Sequence, residues 1–450
     1  MARRASIQGS QPTQLTSRGI SQAVALLDNL EQQRQAKRAR YPTVRPEEPD
    51  EDPDSASPIY DAFVETQGAN GIHTMTNFSP SEFNVLWADV RIYVTKHWNV
   101  GSGRKSEVSA RDLLLMLLTS MKHCGSWDVV AVTFKQHSPT FQKRTMSFAK
   151  ALHPFLLRKY VTTVSEKYSM ALLTTSGHHF ANFPFVRYAT DVTFQQTNVP
   201  SGSYAEKKSY FSGKHSQYGH KVEVSVLPNG FAINCTAHYK GSVSDKAIFD
   251  DNLEFHVSAL SKQATEDRIA DHGDESTNQW AVIADKGYQG IQRVVRAVLP
   301  KKKPAGGILT LEDVRSNDRI ASDRVIVENV FGRMNALWAV CGETYRWSRD
   351  NYDVLFQTCM ALTNVHIRLH PLRADDGEVY SQYINRMSSI GSKTDKGKKT
   401  SARTYRTKRK ARLTLMFAAE SSLVAGSAVG GSDSDLGSNS DAKYGSNLLF

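Results

Sequence analysis

Apolar residues recur at helical spacing from about Ser79 to Val161 and at strand spacing from about Phe185 onward, so the period itself divides the chain. Ser79-Pro80-Ser81-Glu82 has the form of a helix start, with proline in the first turn and a carboxylate soon after. Phe83, Leu86, Val90, Ile92 and Val94 then supply an apolar stripe. A second helix is predicted from Ser109 through Leu113–Leu118 to about Met121. Ser126 to Phe134 reads as a short helix, residues 135–138 as a polar turn, and Pro139 to Tyr160 as a further helix. Two helices across a tight polar turn have helix-turn-helix form and would present Thr140, Gln142, Lys143 and Arg144 to a DNA groove. An ordinary packed helix pair fits the same spacing.

In the second half, Phe185 to Phe194 reads as a strand ending near Asp191. Gly219 to Leu227 and Phe231 to Tyr239 alternate as a hairpin joined by Pro228-Asn229-Gly230. A short helix begins at Asp245, and residues 254–279 are polar and irregular, the composition of a surface insertion. Trp280 to Asp285 is a short apolar strand, followed by a helix through Val294, Val295 and Val298 and by a short strand entering a basic loop. A long helix is predicted over about Thr310 to Val340, with Ile320, Val325, Val327, Val330 and Phe331 on its apolar side, and another from Tyr352 to His370. This order predicts an α/β fold, a mixed sheet covered by helices.

The two ends read differently. Residues 1–78 read as disordered, apart from one short helix around Ile20–Arg40, and the stretch Pro42–Pro58 cannot bury a core. After about Ala374 the periodicity is lost, Lys393–Arg412 is densely basic, and Ala425–Leu449 is rich in Gly, Ser and Asp. The expected organisation is therefore a disordered region at 1–78, a helical domain at 79–165, an α/β domain at 180–372 and a disordered tail at 373–450.

The formal net charge of +11 favours a polyanionic partner, nucleic acid ahead of a membrane surface. Cys124, Cys235, Cys341 and Cys359 have no CxxC spacing, so neither a thiolate zinc site nor a disulfide framework follows and four reduced thiols are expected. No apolar run is long enough to span a bilayer, and residues 1–14 hold no hydrophobic signal core, so an intracellular location is expected.

Asp191 and Asp285 stand in comparable positions, each where an apolar strand gives way to a turn, and a carboxylate completing such a strand needs a partner. Glu328 follows Val325-Ile326-Val327 on the long helix, near its buried side. Three converging oxygen donors make a hard-cation site suited to Mg²⁺ or Mn²⁺. Taken singly, each has a plainer duty: Asp191 capping a turn, Asp285 capping a helix, Glu328 pairing with Arg324 one turn earlier.

Six segments in order carry a family resemblance: Ala189 to Phe194, Tyr210 to His215 with Lys221, Gly241 to Phe249, Ala284 to Tyr288, Leu299 to Pro304, and Val327 to Gly332. With them the stretch from about 185 to 370 resembles the DDE superfamily endonuclease domain of Harbinger-type (PIF/Harbinger) transposases, and the upstream helices resemble the helix-turn-helix that precedes it. The resemblance implies a ribonuclease-H-like fold, with catalytic Asp191, Asp285 and Glu328 holding two divalent ions, Mg²⁺ or Mn²⁺. It adds Asp245 as a further acidic position for metal or substrate. The motif around it more often has histidine where Ser244 stands.

Lys207, Lys208, Lys214 and His215, with Lys301, Lys302 and Lys303 and with Arg324, are the cations expected to meet DNA phosphates. The implied partner is double-stranded DNA, as transposon ends and target. Family members often work with a Myb-like accessory protein, which joins a homo-oligomer among the partners to consider. Lys393–Arg412 has the composition of a nuclear localisation signal. An active transposase and a domesticated nuclear DNA-binding protein that keeps the fold without cutting both fit the residues.

Overall fold

The computed structural model describes residues 16–22, 24, 25, 27, 57–266, 278–304 and 307–426, with the backbone alone for 412–426. The remainder of the helix expected at Ile20–Arg40, most of Pro42–Pro58, residues 267–277 of the polar insertion and the low-complexity end lie outside the described residues. The chain divides into two compact units, residues 1–391 and 392–450.

In the first unit residues 17–22 are helical, where the short helix is expected, with Ile20 buried, and α1 (Pro58–Thr76) follows inside the span that reads as disordered. Tyr60, Phe63, Ile72 and Met75 are all buried. Gly68, at φ 63°, kinks the helix between the two apolar pairs, so no single 3.6-residue period survives to be seen. Asp112 Oδ1 accepts the Tyr60 amide at 2.8 Å and fixes the start of this helix.

Helix α2 (Pro80–His97) begins with the expected capping box, in which Ser79 and Glu82 exchange side-chain and backbone bonds. Phe83, Leu86, Trp87, Val90 and Val94 are buried, whereas Ile92 is 63% exposed. Two residues past Val90, Ile92 is turned about 200° around the axis and leaves the stripe. Helices α3 (Ala110–His123), α4 (Trp127–Thr133) and α5 (Ser138–Leu157) follow, the first two capped by Ser109 and Ser126. Phe134 stacks on Phe141 across the turn between α4 and α5, and Lys135 supplies the left-handed residue that the turn needs.

The sheet is built from β1 (Val186–Gln196) and six later strands. After β1 come α6 (Tyr204–Tyr210), β2 (Phe211–Ser212), β3 (Gln217–Val226), β4 (Ala232–Cys235) and β5 (Tyr239–Lys240). Then come α7 (Asp245–Asp251), α8 (Leu253–Leu260), β6 (Ala281–Ile283) and β7 (Ala297–Val298). The strand order is β2-β3-β1-β6-β7, with β4 and β5 also pairing with β3. Strands β1 and β3 run antiparallel, while β1, β6 and β7 run parallel. The result is a mixed sheet flanked by helices.

Two local expectations change. Strand β1 continues five residues past Asp191, because β3 keeps pairing with it through Gln196. Between β6 and β7 the chain makes two 3₁₀ turns, Lys286–Tyr288 and Ile291–Arg293, in place of a helix; Gly290, at φ 106°, separates them.

Helix α9 (Leu311–Leu337) crosses the sheet, and α10 (Tyr352–Leu369) packs beside it. Ile320, Val327, Val330 and Phe331 are buried as the pattern predicts, but Val325 is 41% exposed, lying two residues before Val327 and so off the buried side. Asp323 accepts both the backbone and side-chain amides of Asn182, at 3.0 and 2.9 Å, and ties α9 to the entry of β1.

The helical segment and part of the sheet share one hydrophobic core, and Met170 and Leu173 between them join a second. Asn77 donates to the Leu337 carbonyl at 2.7 Å, and Trp127 stacks on Trp347 at 4.2 Å.

Helix α11 (Ala374–Gly426) occupies the first part of the tail that reads as disordered. In the first unit it is held by Asp376, which makes a buried two-pronged pair with Arg333 at 3.2 and 2.8 Å. A Cβ on Gly332 would lie 1.6 Å from the Asp376 carbonyl, so only glycine permits this approach. In the second unit, residues 396–411 are a helix with exposed side chains, which gives no apolar period to read. No helix among the described residues is long and apolar enough to cross a membrane.

Candidate active site

The parallel register of β1 and β6 brings the two aspartates together. Ala189 is paired with Ile283; Asp191 lies two residues further along β1 and Asp285 two residues further along the chain, just past β6, close enough to act on the charge of Asp191. Asp191 and Asp285 therefore emerge side by side. Asp285 opens the 3₁₀ turn Lys286–Tyr288, yet its side chain makes no capping bond there. The plain capping duty does not account for it.

Glu328 reaches the same place from α9. Arg324 Nη1 donates to Asp191 Oδ2 and Nη2 to Glu328 Oε1, both at 2.7 Å. The expected i,i+4 pair is thus real, but the same guanidinium also binds Asp191 on the sheet. Its own charge is reinforced by Asp191, Glu328 and Asp285 against the effect of burial. Burial pushes the Asp191 carboxyl up to about 6, with Asp285 adding to the rise and Arg324 and Lys214 opposing it. The other Asp191 oxygen accepts the Val192 amide at 2.8 Å.

Among the described residues, no three acidic, histidine or cysteine side chains form a ready metal cage. The donor set nevertheless fits a hard cation. All three donors are carboxylate oxygens, and two of them already share one positive group, Arg324, as a stand-in for a cation.

Residues 190–364 match the family model described as DDE superfamily endonuclease, a span that contains all three carboxylates. This stretch is a DDE superfamily endonuclease domain. The chain is also 28% identical over 180 residues to a protein of Microchaete diplosiphon described as a probable transposase for insertion sequence element IS702. That alignment covers 40% of this chain, and the chain spans 56% of the relative's length. No solved structure matches the chain.

Within the endonuclease domain, Asp245 takes a partner of its own. Its Oδ1 lies 2.9 Å from Lys221 Nζ, and helix α7 is capped by Ser244, whose Oγ accepts the Ala247 amide. Asp245 still borders the turn after Asp285, since a Cβ on Gly287 would fall 2.6 Å from its Oδ2. Of the expected phosphate contacts, His215 is 8% exposed and stacked flat on Phe194. Burial and the neighbouring lysines hold its ring down to about 4, so at neutral pH it carries no charge to offer a phosphate. Lys214 is exposed and near enough to Asp191 to act on its charge. Lys208 is exposed and Lys207 half-buried on α6. Lys301 pairs with Asp313 at 2.6 Å, while Lys302 and Lys303 are exposed. Arg324 faces the carboxylates, not open solvent.

The helical segment carries a separate feature. Thr140, Lys143 and Arg144 line a cleft of about 710 Å³ whose opposite wall is the loop 98–107, including Arg104 and Lys105. Thr140 and Lys143 are exposed, Arg144 is held by Gln136 at 2.8 Å, and Gln142 is half-buried outside the cleft lining. The loop's cations were not evident from the helix spacing, because they lie between helices.

Sequence reasoning also missed a buried network behind the aspartates. Glu223 Oε1 accepts from His256 Nε2 and from Asn252, each at 2.9 Å, and Tyr188 bonds the other imidazole nitrogen at 2.9 Å. Glu223 and His256 are fully buried. Tyr188 lies three residues before Asp191, and Tyr288, whose phenol is pushed up by burial and then by Glu223, lies three after Asp285.

Proposed function

We propose that the chain is a Harbinger-type DDE transposase, nuclear, that cuts DNA phosphodiester bonds with divalent cations and can join strands. The observation that carries this reading is the convergence of Asp191 and Glu328 on one cation, with Asp285 emerging beside Asp191. The strand order, antiparallel strands followed by parallel ones with Asp191 on β1 and Asp285 just past the neighbouring β6, supports a ribonuclease-H-like domain. Asp191, Asp285 and Glu328 are the residues that would hold Mg²⁺ or Mn²⁺. Such ions would stabilise the charge that develops as a phosphodiester bond is cut.

The chain's own groups do the rest. Asp191 within β1, Asp285 just past the end of β6 and Glu328 on α9 are each carried by packed elements, which hold the carboxylates in place. Lys214, close to Asp191, attracts the scissile phosphate by charge. Lys208, Lys302 and Lys303 add phosphate contacts whose contribution falls with salt.

The purified chain is expected to nick duplex DNA with Mn²⁺ and to spare an RNA–DNA hybrid. Cleavage of the hybrid instead would assign a ribonuclease. DNA binding with no cleavage of either would assign a domesticated binding protein.

The helices α4 and α5 and the basic cleft beside them support a DNA-binding role for the helix-turn-helix. Lys143→Gln is expected to weaken duplex binding evenly across sequences. It should also reduce the slope of log affinity against log salt by about 1, measured by fluorescence anisotropy. An unchanged slope would place DNA elsewhere. The exposed basic helix at 396–411 supports nuclear delivery, which a fluorescent fusion lacking that segment would test by losing nuclear accumulation. Homo-oligomer formation and a Myb-like partner belong to the same reading, through the family resemblance.

A further inference from the structure

Arg324 lies between two of the three carboxylates. Its planar guanidinium spans Asp191 on β1 and Glu328 on α9 with one 2.7 Å contact to each. The three side chains are only 16%, 17% and 26% exposed, so these pairs are poorly screened by water. Both oxygens of Asp191 are committed, one to Arg324 and one to the Val192 amide. Each oxygen keeps a second lone pair, but a divalent ion on Asp191 Oδ2 would sit against the positive guanidinium bound there at 2.7 Å. The guanidinium is the displaceable one, being on a long side chain, whereas the Val192 amide is fixed in the strand backbone.

We infer that Arg324 is an internal counter-ion that metal must displace, so that this residue sets the metal affinity of the site. The inference rests on the reading of Asp191, Asp285 and Glu328 as a metal site. In the metal-free protein the arginine offsets the mutual repulsion of carboxylates brought together by the β1–β6 register. On loading, the same positive charge opposes the incoming ion until the side chain turns away. Arg324 is then a positioning residue that trades metal affinity for a stable empty site. An arginine serving only to orient Glu328 would have the opposite effect, since its removal would loosen the ligand set.

The two roles separate in a binding measurement that needs no turnover. Isothermal titration of the full chain with MnCl₂ is expected to show Arg324→Gln binding Mn²⁺ at least about tenfold more tightly than the wild type. Arg324→Lys, which keeps the charge but cannot bridge both carboxylates as a fork, is expected to fall between them. Arg324→Gln should also melt earlier in EDTA and show a larger Mn²⁺-induced rise in Tm. Equal or weaker Mn²⁺ binding by Arg324→Gln would overturn the counter-ion role while leaving the metal site standing. Wild-type binding that is absent, or unaffected by Asp285→Asn, would overturn the metal site and the inference together.

Discussion

Asp285→Ala is expected to abolish Mn²⁺-dependent strand cleavage, lowering the rate by on the order of 10³-fold or more, while duplex binding stays within about twofold. The size follows from the task. A carboxylate that holds a cation against the transferring phosphoryl group acts mainly where charge develops, so its loss falls on the chemical step. The selectivity follows from the structure. Asp285 makes no capping bond and lies after β6 has ended, so its side chain can be removed without opening the sheet. Asp191 is a poorer position for the same test. It pairs with Arg324 and sits inside a strand, and its removal would leave a part-buried guanidinium without its sheet partner. The measurement is single-turnover nicking of supercoiled DNA alongside anisotropy binding with the same preparation. Cleavage within tenfold of wild type would remove Asp285 from the site. A parallel loss of cleavage and binding would indicate damage to the fold instead.

The features that were legible in the sequence are those written in local residue chemistry. The capping box at Ser79 and Glu82, the hairpin signal at Pro228-Asn229-Gly230 and the apolar run before Asp285 each act within a few residues, and each element formed where its signal stood. The pairing of Asp191 with Asp285 was legible as two similar positions, but their adjacency came from the β1–β6 register, which no local pattern encodes. Helix α1 was hidden because Gly68 breaks its period. Arg324 was read as a DNA contact or as an i,i+4 partner of Glu328. Its bond to Asp191 spans 133 positions and appears only once α9 lies across β1. His215, expected among the phosphate contacts after the first aspartate, is laid on Phe194 by the fold, a contact that no local pattern gives. Glu223 was missed for a related reason. An acid within a strand normally marks the solvent face, but β3 is covered on both faces, so both of its alternating sets are buried.

That same burial makes Glu223→Ala the substitution with the largest expected cost to stability, about 2–4 kcal/mol from lost hydrogen bonds and the cavity left behind. Glu223 and His256 are each fully buried and 2.9 Å apart, so deleting the carboxylate leaves His256 Nε2 without its acidic partner in a space water does not reach. Glu223→Gln keeps an acceptor oxygen for His256 and Asn252 and fills the same volume, so it should cost only about 1–2 kcal/mol. The contrast is the test, read as the denaturant midpoint of each variant against wild type. A loss under about 1 kcal/mol for Glu223→Ala would mean the network contributes little beyond its volume. The position of the network also ties stability to the site. His256 holds Tyr188 on β1, and Tyr288 lies beside Glu223 in the turn that follows Asp285. Loosening the pair releases β1 and the turn after β6 at once, so the residual folded Glu223→Ala protein should bind Mn²⁺ more weakly than Glu223→Gln at a temperature where both are folded. Equal Mn²⁺ affinity in the two would confine the network to holding the core.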